Sequence, residues 1–278
     1  MENRWNPPLR AQFTEYATVD VNSSWYIVLK IRSDIYAICE PKHFQEVISF
    51  LIIGEKQALL WDTGMGLYPI MPIVKQLTDK EVVAVNSHSH FDHTGGNGEF
   101  SFVWGYADDA STNIAENGWK PSADDENFTQ QAVSVDGIDL ENYTQSGYTL
   151  KGVKENQIFD LGNSLWKVFH TPGHSTDSIV LYNEAEKIVL TGDTIYPGTI
   201  YAQQNLPLYA GTCKKLAEKF GGYTLLCSHN EPVRNGDFLT QVSEALDAVI
   251  QHKTTPEKEC GLYLHRWNDI SILTSISG

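Results

Sequence analysis

Four times along this chain an apolar run ends in a loop that opens on aspartate or histidine. Residues 57–61 lead into Asp62, 81–86 into the cluster at 88–93, 187–191 into Asp193 and 223–227 into His229. His174, shortly after the apolar run 165–169, stands in a similar context. Strand ends that repeatedly carry ligand-type residues imply one shared site along one edge of a sheet. The densest of these loops is His88-Ser89-His90-Phe91-Asp92-His93. Histidine and aspartate crowded into a buried loop cost free energy unless something pairs with them, and a metal ion would pair with all of them. The glycines of Thr94-Gly95-Gly96-Asn97-Gly98 then supply a tight turn.

The first sixty residues read as a β-meander, with strands over 13–21, 25–31, 35–39, 47–53 and 57–61 separated by turn residues. A helix is expected over 70–77, with Pro72 in its first turn. Asp62, beside Gly64 and Gly66, is either a turn-capping carboxylate or one that orients a metal ligand. Local sequence favours the turn; the orienting role makes it a candidate site residue. After the cluster come an expected strand over 100–104 and a helix over 107–116. Strands follow at 165–169, 178–182, 187–191 and 223–227, with helices at 208–220 and 236–251.

From 118 to 157 the pattern weakens, with Pro121, the acidic run 124–126 and aromatics Trp119, Phe128, Tyr143 and Tyr148 among polar residues. This stretch reads as an insertion, either a lid or pocket wall for an apolar substrate or a solvated excursion. The whole of 1–278, insertion included, is expected to be a single domain, since this length can bury one large core. The start lacks the apolar run of a signal peptide, and no later run is long enough to span a bilayer, so a cytoplasmic protein is expected. Cys39, Cys213, Cys227 and Cys260 form no C-x-x-C pair and read as reduced core thiols. The net charge of −15, without a basic cluster, disfavours nucleic-acid partners and points to a small-molecule substrate.

Taken together, Asp62-Thr63-Gly64, H-S-H-F-D-H at 88–93, T-P-G-H-S at 171–175, T-G-D-T at 191–194 and S-H at 228–229 resemble the metallo-β-lactamase fold superfamily. The resemblance covers nearly the whole chain in the right order. It implies an α/β fold, a four-layer αβ/βα sandwich with an insertion after the H-x-H-x-D-H motif and a dinuclear site between its two sheets. Carried over, His88, His90 and His174 would hold one metal, Asp92, His93 and His229 a second, and Asp193 would bridge them. Five imidazoles and two carboxylates without thiolate suit zinc, with manganese or iron able to occupy the same set. A hydroxide shared by two such ions is the expected nucleophile, oriented by Asp92. No serine nucleophile is needed, so the serines read as surface and turn residues.

Family members that hydrolyse β-lactams carry cysteine or serine where this chain has Asp193, which argues against antibiotic hydrolysis. Nucleic-acid-processing members share the aspartate, but the acidic balance tells against them. Esters, lactones and thioesters remain, and the runs at 192–200 and 211–216 look most like the thioesterase-related branch. A thiolate leaving group, with a pKa near about 8.5, needs no general acid. Tyr196 and Tyr201 are candidate substrate contacts, or else core and wall tyrosines. His43, His252 and His265 read as surface or structural residues, and His170 as a possible support for the loop carrying His174. Two rival classes stay open: an iron-dependent persulfide dioxygenase-like oxidoreductase, and a metal-binding module without catalysis.

Overall fold

The computed structural model describes residues 8–121, 143–259 and 261–275. Two compact units divide the chain: Met1–Val153 with Asp160–Ser164, and Lys154–Phe159 with Leu165–Gly278. Cys260 and the acidic run 124–126 with Phe128 lie outside the described residues.

The first unit is built on an eight-stranded sheet whose strands follow one another in sequence order. These are β1 (Ala17–Val19), β2 (Ile27–Lys30), β3 (Ile35–Cys39), β4 (Ile48–Ile53), β5 (Ala58–Trp61), β6 (Val82–Val85), β7 (Val103–Gly105) and β8 (Leu150–Gly152). Strands β1 to β5 form the expected antiparallel meander. The first is shorter than its sequence suggests, because Ala11–Glu15 winds into a 3-10 turn that buries Phe13. From β5 onward the pairing is parallel, and helix α1 (Met71–Leu77) makes the crossover to β6. It packs Ile73 and Val74, with Ile70, against Val28, Ile38, Leu51 and Leu60. Those strand positions alternate with ones facing the other way, so one period-2 face meets one helical stripe. The short α2 (Phe91–Thr94) and α3 (Asp109–Asn117) follow, α3 opened by a capping box between Asp108 and Ser111.

Strand β8 lies within the stretch whose patterning is weakest, yet it pairs with β7 through Val103, Trp104 and Gly105. A three-residue edge strand reading Leu-Lys-Gly is too short for a period to register.

The second unit has a six-stranded sheet, β9 (Ile158–Asp160), β10 (Leu165–His170), β11 (Ile179–Asn183), β12 (Ile188–Leu190), β14 (Thr224–Leu226) and β15 (Val233–Asn235), and a four-stranded one. The latter joins β13 (Thr199–Ala202), β18 (Ile270–Thr274), β17 (Leu262–Trp267) and β16 (Glu257–Glu259). Helices α4 (Leu206–Phe220) and α5 (Asp237–Ile250) pair with each other over Val180, Tyr182, Val189 and Leu225. Every residue of β11 is buried, which matches its nearly unbroken apolar run. Among the described residues, no helix is long and apolar enough to cross a membrane.

Candidate metal centre

Strand direction gathers the ligand-type residues of each unit. In the first unit β5 and β6 run parallel, with Trp61 opposite Val85, so their C-terminal ends share one edge. Asp62 therefore leaves the sheet beside Ser87, and the two residues join. The Asp62 carboxylate accepts from the Ser87 amide at 2.7 Å and from its hydroxyl at 2.9 Å. The same carboxylate lies 2.9 Å from Nδ1 of His93, which donates to it, and all three groups are buried. Having given its proton to Asp62, Ser87 Oγ is left to accept from Nδ1 of His88 at 2.9 Å.

That relay fixes the tautomer of two histidines at once, leaving Nε2 of each as a lone-pair donor. Asp62 thus does more than cap a turn. The expectation that the serines are surface and turn residues fails at Ser87, whose side chain is the link in this chain of bonds. It also fails at Ser175, Ser178 and Ser228, all buried. Single-residue polarity could not reveal this, because only the parallel pairing brings position 87 to position 62.

Around the relay, His88 lies against His90 and His93 with ring centroids 4.4 and 4.3 Å apart. Ligand atoms of His88 and His90, of His88 and His93, and of Asp92 and His93 lie within 4.8 Å. Asp92 Oδ2 stands 3.7 Å from His93 Nε2. The backbone is held by buried polar side chains: the His93 carbonyl accepts from the Thr63 amide and Asn86 Nδ2, and Asn97 closes the network onto both Thr63 and Asn86.

Sequence reasoning missed Glu40, 1% exposed, which accepts from Trp25 Nε1 at 2.6 Å and from the Met65 amide at 2.9 Å. It anchors the loop that follows Asp62. Burial pushes its carboxyl from 4.5 up to about 7, against the lowering effect of those two donors.

In the second unit β12 and β14 are parallel, with Leu190 opposite Leu226, and β10 runs in the same sense through its antiparallel neighbour β11. Three strand ends therefore share an edge, and their loops carry His174, Asp193 and His229. Asp193 Oδ1 lies 2.9 Å from His229 Nε2, and Oδ2 lies 3.5 Å from His174 Nε2. All three side chains are buried. His170 Nε2 donates to the Thr176 carbonyl at 2.9 Å and so supports the His174 loop.

The two tyrosines differ. Tyr196 is buried, its ring 4.9 Å from that of His229, and its hydroxyl donates to the Thr199 carbonyl at 2.6 Å. Tyr201 is 43% exposed on β13. His43 and His265 are buried structural residues, the latter between Thr254 and Thr274, while His252 is exposed. Each donor set, imidazole nitrogens facing carboxylate oxygens without thiolate, has the chemistry to hold a divalent cation.

The family described as the metallo-beta-lactamase superfamily matches residues 46–222. An acyl-coenzyme A thioesterase MBLAC2 from Homo sapiens is 26% identical over 203 residues, covering 61% of this chain and 66% of that protein. A hydroxyacylglutathione hydrolase from Pelagibacter ubique is 28% identical over 175 residues, covering 60% of each. The chain thus spans two thirds or less of these relatives' lengths. A β-lactamase domain protein from Burkholderia ambifaria superposes with a TM-score of 0.63 at 16% identity, covering 87% of this chain and 82% of its own. Likeness at that identity speaks for the fold, the α/β sandwich expected from the sequence.

Proposed function

Because this chain belongs to the metallo-β-lactamase superfamily, we propose that it is a metal-dependent hydrolase of thioesters or lactones. In this reading His88, His90 and His174 would hold one divalent ion, Asp92, His93 and His229 would hold a second, and Asp193 would serve both. Zinc suits the nitrogen and oxygen donors best, with manganese or iron as other occupants. Since neither unit carries all seven donors, residues 1–278 act as one functional domain.

The observation that carries the proposal is the Asp62–Ser87 relay, which holds the Nδ1 protons of His88 and His93 and leaves both Nε2 atoms for a cation. When bound, such ions would supply an acidified water and Lewis-acid polarisation of the scissile carbonyl. The chain's own residues do the rest. Asp92, buried beside His93, orients the attacking water through its carboxylate and can accept its proton. Tyr196, its hydroxyl already given to Thr199, packs the His229 imidazole in place.

Phe91, between His90 and Asp92, stacks on Trp119 at 4.4 Å with an interplanar angle of 13°. Tyr143 and Gln145 clamp the same segment, bonding to the carbonyls of Met65 and Phe91. These contacts support Trp119, Tyr143 and Gln145, the described part of that stretch, as a pocket wall that receives the apolar acyl part of the substrate. A thioester is favoured because its thiolate leaves without a general acid, and one relative is named as a thioesterase. The acidic balance disfavours nucleic acid as a substrate.

The test is elemental analysis of the purified protein with His88→Ala and Asp193→Ala variants, alongside hydrolysis assays on thioesters and lactones. About two equivalents of divalent metal, reduced in both variants together with hydrolysis, is the expected result. No metal after reconstitution, or a single iron with oxygen consumption, would overturn it.

A further inference from the structure

Two of the loops that carry ligand-type residues in the second unit are tied to one helix by side-chain hydroxyls. On α4, Tyr209 and Thr212 stand three residues apart and so share a face. The Tyr209 hydroxyl donates to the Thr194 carbonyl at 2.7 Å and lies 3.2 Å from the carbonyl of Asp193 itself. Thr212 Oγ1 donates to the Pro172 carbonyl at 2.6 Å, two residues before His174. The loops also meet each other, Thr171 Oγ1 lying 2.9 Å from Thr194 Oγ1.

Backbone packing adds to these bonds. A Cβ on Gly173 would stand 2.8 Å from Tyr209 Cα and 2.4 Å from its ring, so the T-P-G-H loop lies flush on the helix only because position 173 is glycine. Tyr209 is fully buried and Thr212 nearly so. Carbonyls at this depth need donors, and loops with no ladder partner of their own receive them from the helix. The position of Pro172, and of Asp193 with Thr194, is thus referred to one rigid body.

We propose that Tyr209 and Thr212 are positioning residues that set the spacing of His174 and Asp193 for metal binding. They act through main-chain carbonyls and touch no reacting atom. This inference rests on the hydrolase reading above.

The test uses isothermal titration of chelator-stripped full-length protein with zinc alone, comparing wild type with Tyr209→Phe, Thr212→Val and Thr212→Ser. Thr212→Val keeps the shape and removes the hydroxyl, whereas Thr212→Ser keeps it. Leu216→Ala, on the same helix and in the core, serves as a control for lost stability alone. The expected result is a roughly 10–100-fold weaker affinity in Tyr209→Phe and Thr212→Val, with Thr212→Ser and Leu216→Ala within about threefold of wild type by the same criterion. Wild-type affinity in Tyr209→Phe and Thr212→Val, or an equal loss in Leu216→Ala, would overturn the positioning role while leaving the hydrolase reading intact. A wild type that takes up no zinc would sink that reading and this inference with it.

Discussion

Glu40 sits 25 positions before Met65 in sequence, in a stretch reading Cys-Glu-Pro-Lys, with nothing local to mark it. Folded, its two oxygens serve a tryptophan N–H and a loop amide, and its burial favours the neutral acid. The sign of the linkage follows. With the folded value raised from 4.5 to about 7, the folded state holds the proton more tightly than the unfolded chain. Its contribution to stability is full below pH 4.5 and is lost as the pH rises through about 7. The loss amounts to roughly 3 kcal/mol at about 1.4 kcal/mol per pH unit. Urea unfolding of chelator-treated protein between pH 4.5 and 8 measures it. In Glu40→Gln this falling component is absent, so the variant, less stable at low pH where its amide cannot accept from both donors, approaches wild type as pH rises. Parallel pH profiles for the two proteins would contradict the assignment.

At the scale of elements, the loop after β5 and the turn after α2 meet backbone to backbone. Gly66 has φ of +67°, and a Cβ there would stand 2.3 Å from the carbonyl oxygen of Gly95. Both the left-handed conformation and the close approach require glycine. Gly66→Ala is therefore expected to cost at least about 1–2 kcal/mol from conformation alone, with more from the contact. Chemical denaturation reads this directly. An unchanged midpoint would mean that the two loops can separate without loss. The loop geometry matters because the Gly95 amide donates to Gly64, fastening the segment that begins at Asp62 to the one that ends the histidine cluster.

For the whole molecule, six of the seven donors proposed for metal are buried, His90 alone being exposed, and the chain carries a net charge of −15. Buried carboxylates facing imidazoles gain most from a cation, so metal binding should stabilise the fold as a ligand that prefers the native state. At metal concentrations near a hundred times Kd the gain is about 2.7 kcal/mol, equivalent to a shift of roughly 5–10 °C in Tm for a chain of this size. Thermal unfolding with a chelator, and then with zinc restored, checks it. Unfolding that ignores both additions would contradict the metal assignment.

What the residues alone determined is which ligand-type side chains are candidates, and that strand ends lead into most of them. His88, His90, Asp92 and His93 fall within six consecutive positions, and apolar runs of strand length lead into Asp62, Asp193 and His229, so local spacing suffices to single them out, although the turn of helix that carries Asp92 and His93 was not foreseen. The meander and the long helices were legible for the same reason, since periodicity over five or more residues is a local property. The tertiary structure alone decided what stands behind the donors. Ser87 and Asp62 meet because β5 and β6 are parallel, Tyr209 and Thr212 reach two loops because α4 packs across them, and Glu40 meets Met65 through a fold of the meander. Strand direction and helix packing are long-range outcomes. Hydroxyls and a carboxyl that act only through another residue's backbone or ring leave no local signature in the chain.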